Sequence, residues 1–225
     1  MNEQVGSTPS LELRALQSTA AHLAERYAGV LSPDLVERVV FESYTSLART
    51  ARVRTHLSSL AGHFAADRLA ALAHAQAGEG AGVPQVLFLD EHDIGRSQVA
   101  AALLTHCARG AVTARSAGYT PTAAVDPVVE EVLAERGITV QELYPKPVTD
   151  DVLRAADWVI TFTPREDMGL YPGTMHQRWD VDPLAGATAD QARRITAVVD
   201  QHVRALWETV RARTGTAPDV HRSST

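Results

Sequence analysis

The stretch "VLFLDEHDIGRSQVA", Val86 to Ala100, concentrates more reactive side chains than any other part of the chain. An apolar run gives way to a short loop containing Gly95, and the loop opens into a helical pattern. A strand, a turn and a helix N-terminus aim several backbone N–H groups at one point, an arrangement that holds a phosphate-like anion. The same loop carries Asp90, Glu91 and Asp93. Carboxylates oppose the charge such a cradle should hold. Either they fill it themselves, or they serve another chemistry, because carboxylates in unlike environments can divide into an acid and a base.

Other chemistries have less support. The single cysteine, Cys107, excludes an internal disulfide framework and a Cys-rich zinc site. It falls about three turns into the helix after the loop, roughly 15 Å along its axis, and reads as a small buried hydrophobe. The nine histidines are scattered, with no H-x3-H pair beside a carboxylate cluster. No metal and no cofactor are expected. A carboxylate site for a divalent cation is disfavoured by Arg96 in the same loop.

The elements that must position this loop follow from periodicity. From Leu11 to about Ala77 the pattern is helical, with Leu11, Leu13, Leu16, Ala20, Leu23 and Tyr27 at helix spacing. Ser32 and Pro33 open a second helix as N-cap and first helical residue. A third runs from about Arg54 to Ala77. A three-helix bundle over 11–77 is expected. "QAGEGAGVP", Gln76 to Pro84, marks a boundary. Beyond it strands and helices alternate. "QVLFL", "VTARS" and "DWVITF" read as strands. "SQVAAALLTHCARG", "DPVVEEVLAERG", "TDDVLRAA" and "TADQARRITAVVDQHVRALWETVRAR" read as helices. Alternation predicts a parallel sheet covered on both faces over 84–213, with residues 214–225 as a tail. Ligands of such sheets bind beyond the strands' carboxyl ends. The loop 90–96 and the segment after "DWVITF" both lie there.

Bulk properties bound the partners. A net charge of −6 argues against general nucleic-acid binding, which shows a basic face. No apolar run approaches the roughly 20 residues of a membrane span. The opening "MNEQVGSTPS" lacks the regions of a signal peptide, so a cytoplasmic protein is expected.

The second domain resembles the low-molecular-weight phosphatase fold and, within it, the thioredoxin-type arsenate reductases of actinobacteria. The resemblance covers about residues 84–213. It rests on "GRSQ" after the first strand, "RSAG" (Arg115 to Gly118), "PKPVTDDVLRAADWVIT" (Pro145 to Thr161), "YPG" (Tyr171 to Gly173) and "WDVDPLAG" (Trp179 to Gly186). "ESYTSLARTARVRTHLSSLAGHFAADRL" is similar to the helical bundle attached to some of these reductases. The resemblance implies a four-stranded parallel sheet. Family chemistry runs on a C-x5-R loop, whose Cys attacks phosphorus or arsenic while the loop amides and the Arg hold the oxyanion. An Asp-Pro pair supplies a general acid, and two further cysteines carry oxidation outward in the reductases.

Carried over, the Arg falls on Arg96, the Ser after it on Ser97, and the Asp-Pro on Asp182 and Pro183. The nucleophile position falls on Asp90. The resolving-cysteine positions fall on Pro164 and Met168, and the loop's usual asparagine on Asp93. The resemblance therefore implies a site of Asp90, Arg96 and Asp182. Glu91, His92, Asp93, Ile94, Gly95 and Ser97 would form the ligand-binding loop. Tyr171 and Trp179 flank the expected pocket mouth, with ligand contact and packing both open. Trp158, in a strand, is expected in the core.

Reduction needs a thiolate that forms a disulfide and is regenerated, so reductase chemistry is not expected, and the phosphatase nucleophile is gone. Two outcomes compete for Asp90. In one it pairs with Arg96 and plugs the cradle. A bound oxyanion would then meet like charge, about 4 kcal/mol at 4 Å and an effective dielectric of 20, or about a thousandfold in affinity. In the other, Asp90 and Asp182 perform acid/base chemistry on a small organic substrate (isomerisation, cyclisation, dehydration or hydrolysis), with Arg96 stabilising an oxyanion. The sequence favours repurposed catalysis, because Gly95, Arg96, Ser97, Asp182 and Pro183 are kept together. A non-catalytic protein binding an oxyanion, phospho-ligand or protein partner is the alternative, and a residual phosphohydrolase the third. A small-molecule ligand is expected, and a homodimer through the N-terminal helices is left open.

Overall fold

The computed structural model describes residues 10–51, 56–78, 82–122, 124–139, 143–163 and 171–215. The chain forms two compact units that divide between residues 79 and 80.

The first unit contains three helices, α1 (Leu11–Arg26), α2 (Pro33–Ala48) and α3 (Leu57–Ala77). Ser10 and Ser32 accept from the amides of Leu13 and Leu35, capping α1 and α2, and Pro33 stands in the first turn of α2. The helix read from about Arg54 starts at Leu57, and residues 52–55 lie outside the described residues. Of the periodic positions in α1, Leu16, Ala20 and Leu23 are buried, whereas Leu11 is exposed. They belong to a core with Val36, Val40, Phe64 and Leu69. Gly62 lets α3 approach α1, since a Cβ there would lie 3.2 Å from the Thr19 methyl. The buried Arg68 donates to Ser43 Oγ and Glu42 Oε2.

The second unit is a four-stranded, wholly parallel sheet, ordered β2-β1-β3-β4. Its strands are β1 (Gln85–Asp90), β2 (Thr113–Gly118), β3 (Trp158–Thr161) and β4 (Met175–Arg178). Around them lie α4 (Arg96–Ala108), α5 (Pro127–Ala134), α6 (Asp150–Ala155) and α7 (Ala189–Thr214). Every residue of β1 is buried, as a central strand covered on both faces requires. Val86 and Phe88 point into a core built with Val99 and Leu104 of α4, Val129 and Leu133 of α5, and Val199 and Val203 of α7. Leu87 and Leu89 alternate to the other face, where α6 packs.

Three strands fall where the sequence places them, β1 and β3 as buried apolar runs and β2 (TARSAG) as a half-buried edge strand. The fourth, "MHQR", is a polar edge strand with mostly exposed side chains, so periodicity does not reveal it. The four-stranded parallel sheet implied by the resemblance is present. No described helix is long and apolar enough to cross a membrane.

Candidate functional site

The site forms where β1 ends and α4 begins. Parallel pairing puts Asp90 opposite Gly118, so the loop 91–95 leaves the sheet at its carboxyl edge. Gly95 is the N-cap of α4 and contributes no side-chain cap. It is buried against Leu184, whose Cβ would lie 3.1 Å from a Cβ at position 95.

Asp90 is only 7% exposed. Its Oδ1 accepts from Arg96 Nη2 at 2.9 Å and from the Glu91 amide at 2.7 Å. Its Oδ2 accepts from Arg96 Nε at 3.3 Å. The pair is bidentate, the geometry in which guanidinium and carboxylate interact most strongly. The remaining Arg96 nitrogen, Nη1, donates to the Val181 carbonyl at 2.7 Å. The guanidinium also lies over the Phe162 ring, 5.4 Å from its centroid. Each nitrogen of Arg96 therefore has a protein acceptor.

Asp93 shapes the loop. It has a φ of 52°, in the left-handed region, which short polar side chains tolerate better than most. Its side chain is fully buried. Oδ1 accepts from Ser97 Oγ at 2.9 Å, and Oδ2 from the Lys146 amide at 3.0 Å. Lys146 Nζ stands 3.5 Å from Oδ2 and donates to Ser116 Oγ and the Tyr144 carbonyl. Burial pushes the Asp93 carboxyl above the usual carboxylate range, against the opposing effects of Lys146, Ser97 and Ser116. The Gln98 amide donates to the carbonyls of Asp93 and Tyr144, closing the network.

Glu91 and His92 face the connection after β2. Thr120 Oγ1 donates to Glu91 Oε1 at 2.7 Å, the Thr120 amide donates to the Glu91 carbonyl, and His92 Nδ1 lies 2.9 Å from the Thr120 carbonyl. The Ile94 carbonyl accepts from the Asp126 amide, at the start of α5. Glu91, His92 and Ile94 thus brace the loop from outside, and Ser97 braces it from inside.

The remaining expected residues are placed elsewhere. Asp182 is exposed, next to the Val181 that Arg96 holds. It lines a cavity whose walls include neither Asp90 nor Arg96. Trp179 corrects the expectation of a residue at the pocket mouth. It is 6% exposed and packs in the core on Phe88, Phe162 and His202, with ring centroids 5.6, 5.7 and 5.1 Å away. Its amide continues the pairing with β3 by donating to the Thr161 carbonyl, and its side chain falls on the covered face of the sheet. Tyr171 donates its hydroxyl to Asp150 of α6 and lies under Arg154. Pro164 and Met168 lie outside the described residues. Trp158 is in the core, as its strand position predicts.

Cys107 is half-buried on α4, its Sγ 3.4 Å from the Leu104 carbonyl. Burial raises its thiol pKa. Lys146, Ser116, Gln98 and Thr120 were not singled out by motif reasoning. Ser116 and Lys146 lie inside the quoted segments "RSAG" and "PKPVTDD", but their types alone do not signal a loop brace. Among the described residues, no group of three or more His, Cys, Asp or Glu could hold a metal.

Comparison with known proteins gives two family matches. Residues 85–215 match the family described as low molecular weight phosphotyrosine protein phosphatase. Residues 16–73 match the protein-tyrosine-phosphatase-like N-terminal domain. The chain is similar to the solved Corynebacterium glutamicum thioredoxin-dependent arsenate reductase Cg_ArsC1', with 42% identity over 90% of this chain and 100% of that one, and a TM-score of 0.80. It is also similar to an arsenate reductase from Archaeoglobus fulgidus, with 28% identity over 54% of this chain and 97% of that one, and a TM-score of 0.46.

Proposed function

For a chain that belongs to the low molecular weight phosphotyrosine protein phosphatase family, we propose a binding role in which the family's anion cradle is filled by the protein's own Asp90. The observation that carries this reading is the buried bidentate pair of Asp90 and Arg96. An incoming oxyanion would need the guanidinium nitrogens that Asp90 and Val181 occupy. It would also meet the Asp90 carboxylate at close range, a repulsion of about 4 kcal/mol at 4 Å with an effective dielectric of 20.

Thiol redox chemistry and phosphoryl transfer through a thiolate are absent from this role. The one cysteine sits on α4 with its pKa raised by burial, the reverse of what a nucleophilic or redox-active thiol requires. Acid/base catalysis by Asp90 with Asp182 has less support. The Asp90 oxygens that a general base would use point at Arg96, and Asp182 lines a separate cavity.

The test is turnover. Aryl phosphate hydrolysis and thioredoxin-coupled arsenate reduction are both expected at background for the purified chain. Turnover above background that disappears in Arg96→Ala would overturn the proposal.

A further inference from the structure

A cavity of about 720 Å³ lies between the segment 180–187 and the first half of α7. That volume falls within the range of small-molecule sites, roughly 300–1,000 Å³. Its apolar surface includes Ile195 and Val198, and Val198 is 41% exposed although aliphatic. Its charged groups are Asp180, Asp182 and Arg194. Residues two apart on an extended segment project to the same side, so Asp180 and Asp182 share a wall, while Arg194 comes from the helix.

Within the described residues, no hydrogen bond or ion pair occupies Asp180, Asp182 or Arg194. On α7, Arg194 shares this with Arg213, which lies over the Trp158 ring instead; the other arginines of the helix are paired. Arg193 pairs with Glu131, Glu135 and Asp190, Arg204 with Asp200, and Arg211 with Glu208. The acidic wall is also fixed in place, because the Val181 carbonyl between the two aspartates accepts from Arg96.

We infer that this cavity binds a small amphipathic zwitterion of dipeptide size, with its amine on Asp180 and Asp182, its carboxylate on Arg194 and its apolar side chains on Ile195 and Val198. The volume is too large for a simple inorganic ion. The two signs of charge, with an apolar surface, match a ligand carrying both signs on an apolar body. The inference goes beyond the cradle reading and does not depend on it, since neither Asp90 nor Arg96 lines this space.

The probe is leucyl-phenylalanine, titrated calorimetrically into the full chain beside its N-acetylated and C-amidated forms. Saturable binding of the free dipeptide is expected, weakened about tenfold by either blocking group, the size of one lost charge-assisted hydrogen bond. Arg194→Ala should weaken the free dipeptide about as much as amidation does, with no further loss for the amidated form. Asp180→Asn with Asp182→Asn should likewise reproduce N-acetylation. These positions are exposed, so the variants keep their fold. No saturable binding, or binding indifferent to both blocking groups and to Arg194→Ala, overturns the inference. Phosphate titrated in parallel reports on the cradle, so failure of one reading is distinguishable from failure of the other.

Discussion

Asp93 and Lys146 do for the loop what Asp90 and Arg96 do for its centre: each carboxylate is held against a cation under cover of the protein. Truncating one partner of such a pair leaves a buried charge uncompensated, at about 3–5 kcal/mol. Lys146→Met should therefore destabilise the chain by about 3 kcal/mol in urea unfolding. The double change Asp93→Asn with Lys146→Met should regain most of that loss, and an additive double variant would show that the two do not act as a pair. Asp93 also predicts a pH dependence. Its folded carboxyl is raised by burial, so the folded protein takes up this proton at a higher pH than the unfolded chain. Its stabilising share is complete below the unfolded value of about 3.9 and is lost as pH rises through the folded value. Melting temperatures of wild type and Asp93→Asn, followed from about pH 7.5 to about pH 4.5, should shift relative to each other in favour of wild type. A constant gap would contradict the burial argument.

At the scale of elements, the site depends on close approach between β2 and the loop. A Cβ on Gly118 would lie 2.8 Å from the Asp93 amide nitrogen and 2.9 Å from the His92 carbonyl carbon. Both are backbone atoms that cannot swing aside. Gly118→Ala should cost about 1–3 kcal/mol as an overpacked contact, read by chemical denaturation, and an unchanged midpoint would mean the loop yields freely. The central strands β1 and β3 were legible because burial on both faces writes apolar runs into them, whereas the edge strand β2 was read from its place between two helical patterns. The edge strand β4 was not, because its exposed residues, Met175, His176 and Arg178, carry no such signature. For the same reason packing and ligand contact stayed open for Trp179: with the edge strand unseen, the covered face on which it falls was unseen too. The loop residues 90–97 were legible as a unit, because Gly95 and the switch from strand to helix are local signals. Lys146 was not, since it reaches Asp93 across more than fifty residues of sequence.

Taken whole, the molecule carries two family matches on its two units, residues 16–73 and 85–215, and its single thiol stands away from the cradle, toward the far end of α4. Apart from β4, the order of elements was readable from the sequence pattern, and the family from motif order. Periodicity could not decide between a plugged cradle and a repurposed one, because both outcomes use the same side chains and differ only in where two carboxylates point. The most direct test titrates inorganic phosphate and arsenate calorimetrically into wild type and Asp90→Ala. Removing the internal anion should free Arg96 and relieve the repulsion, so Asp90→Ala should bind at least about a hundredfold more tightly than wild type, within the thousandfold that a 4 kcal/mol repulsion would allow at most, roughly. Wild type that binds either anion as tightly as Asp90→Ala would contradict the account, because Asp90 would then not occupy the cradle.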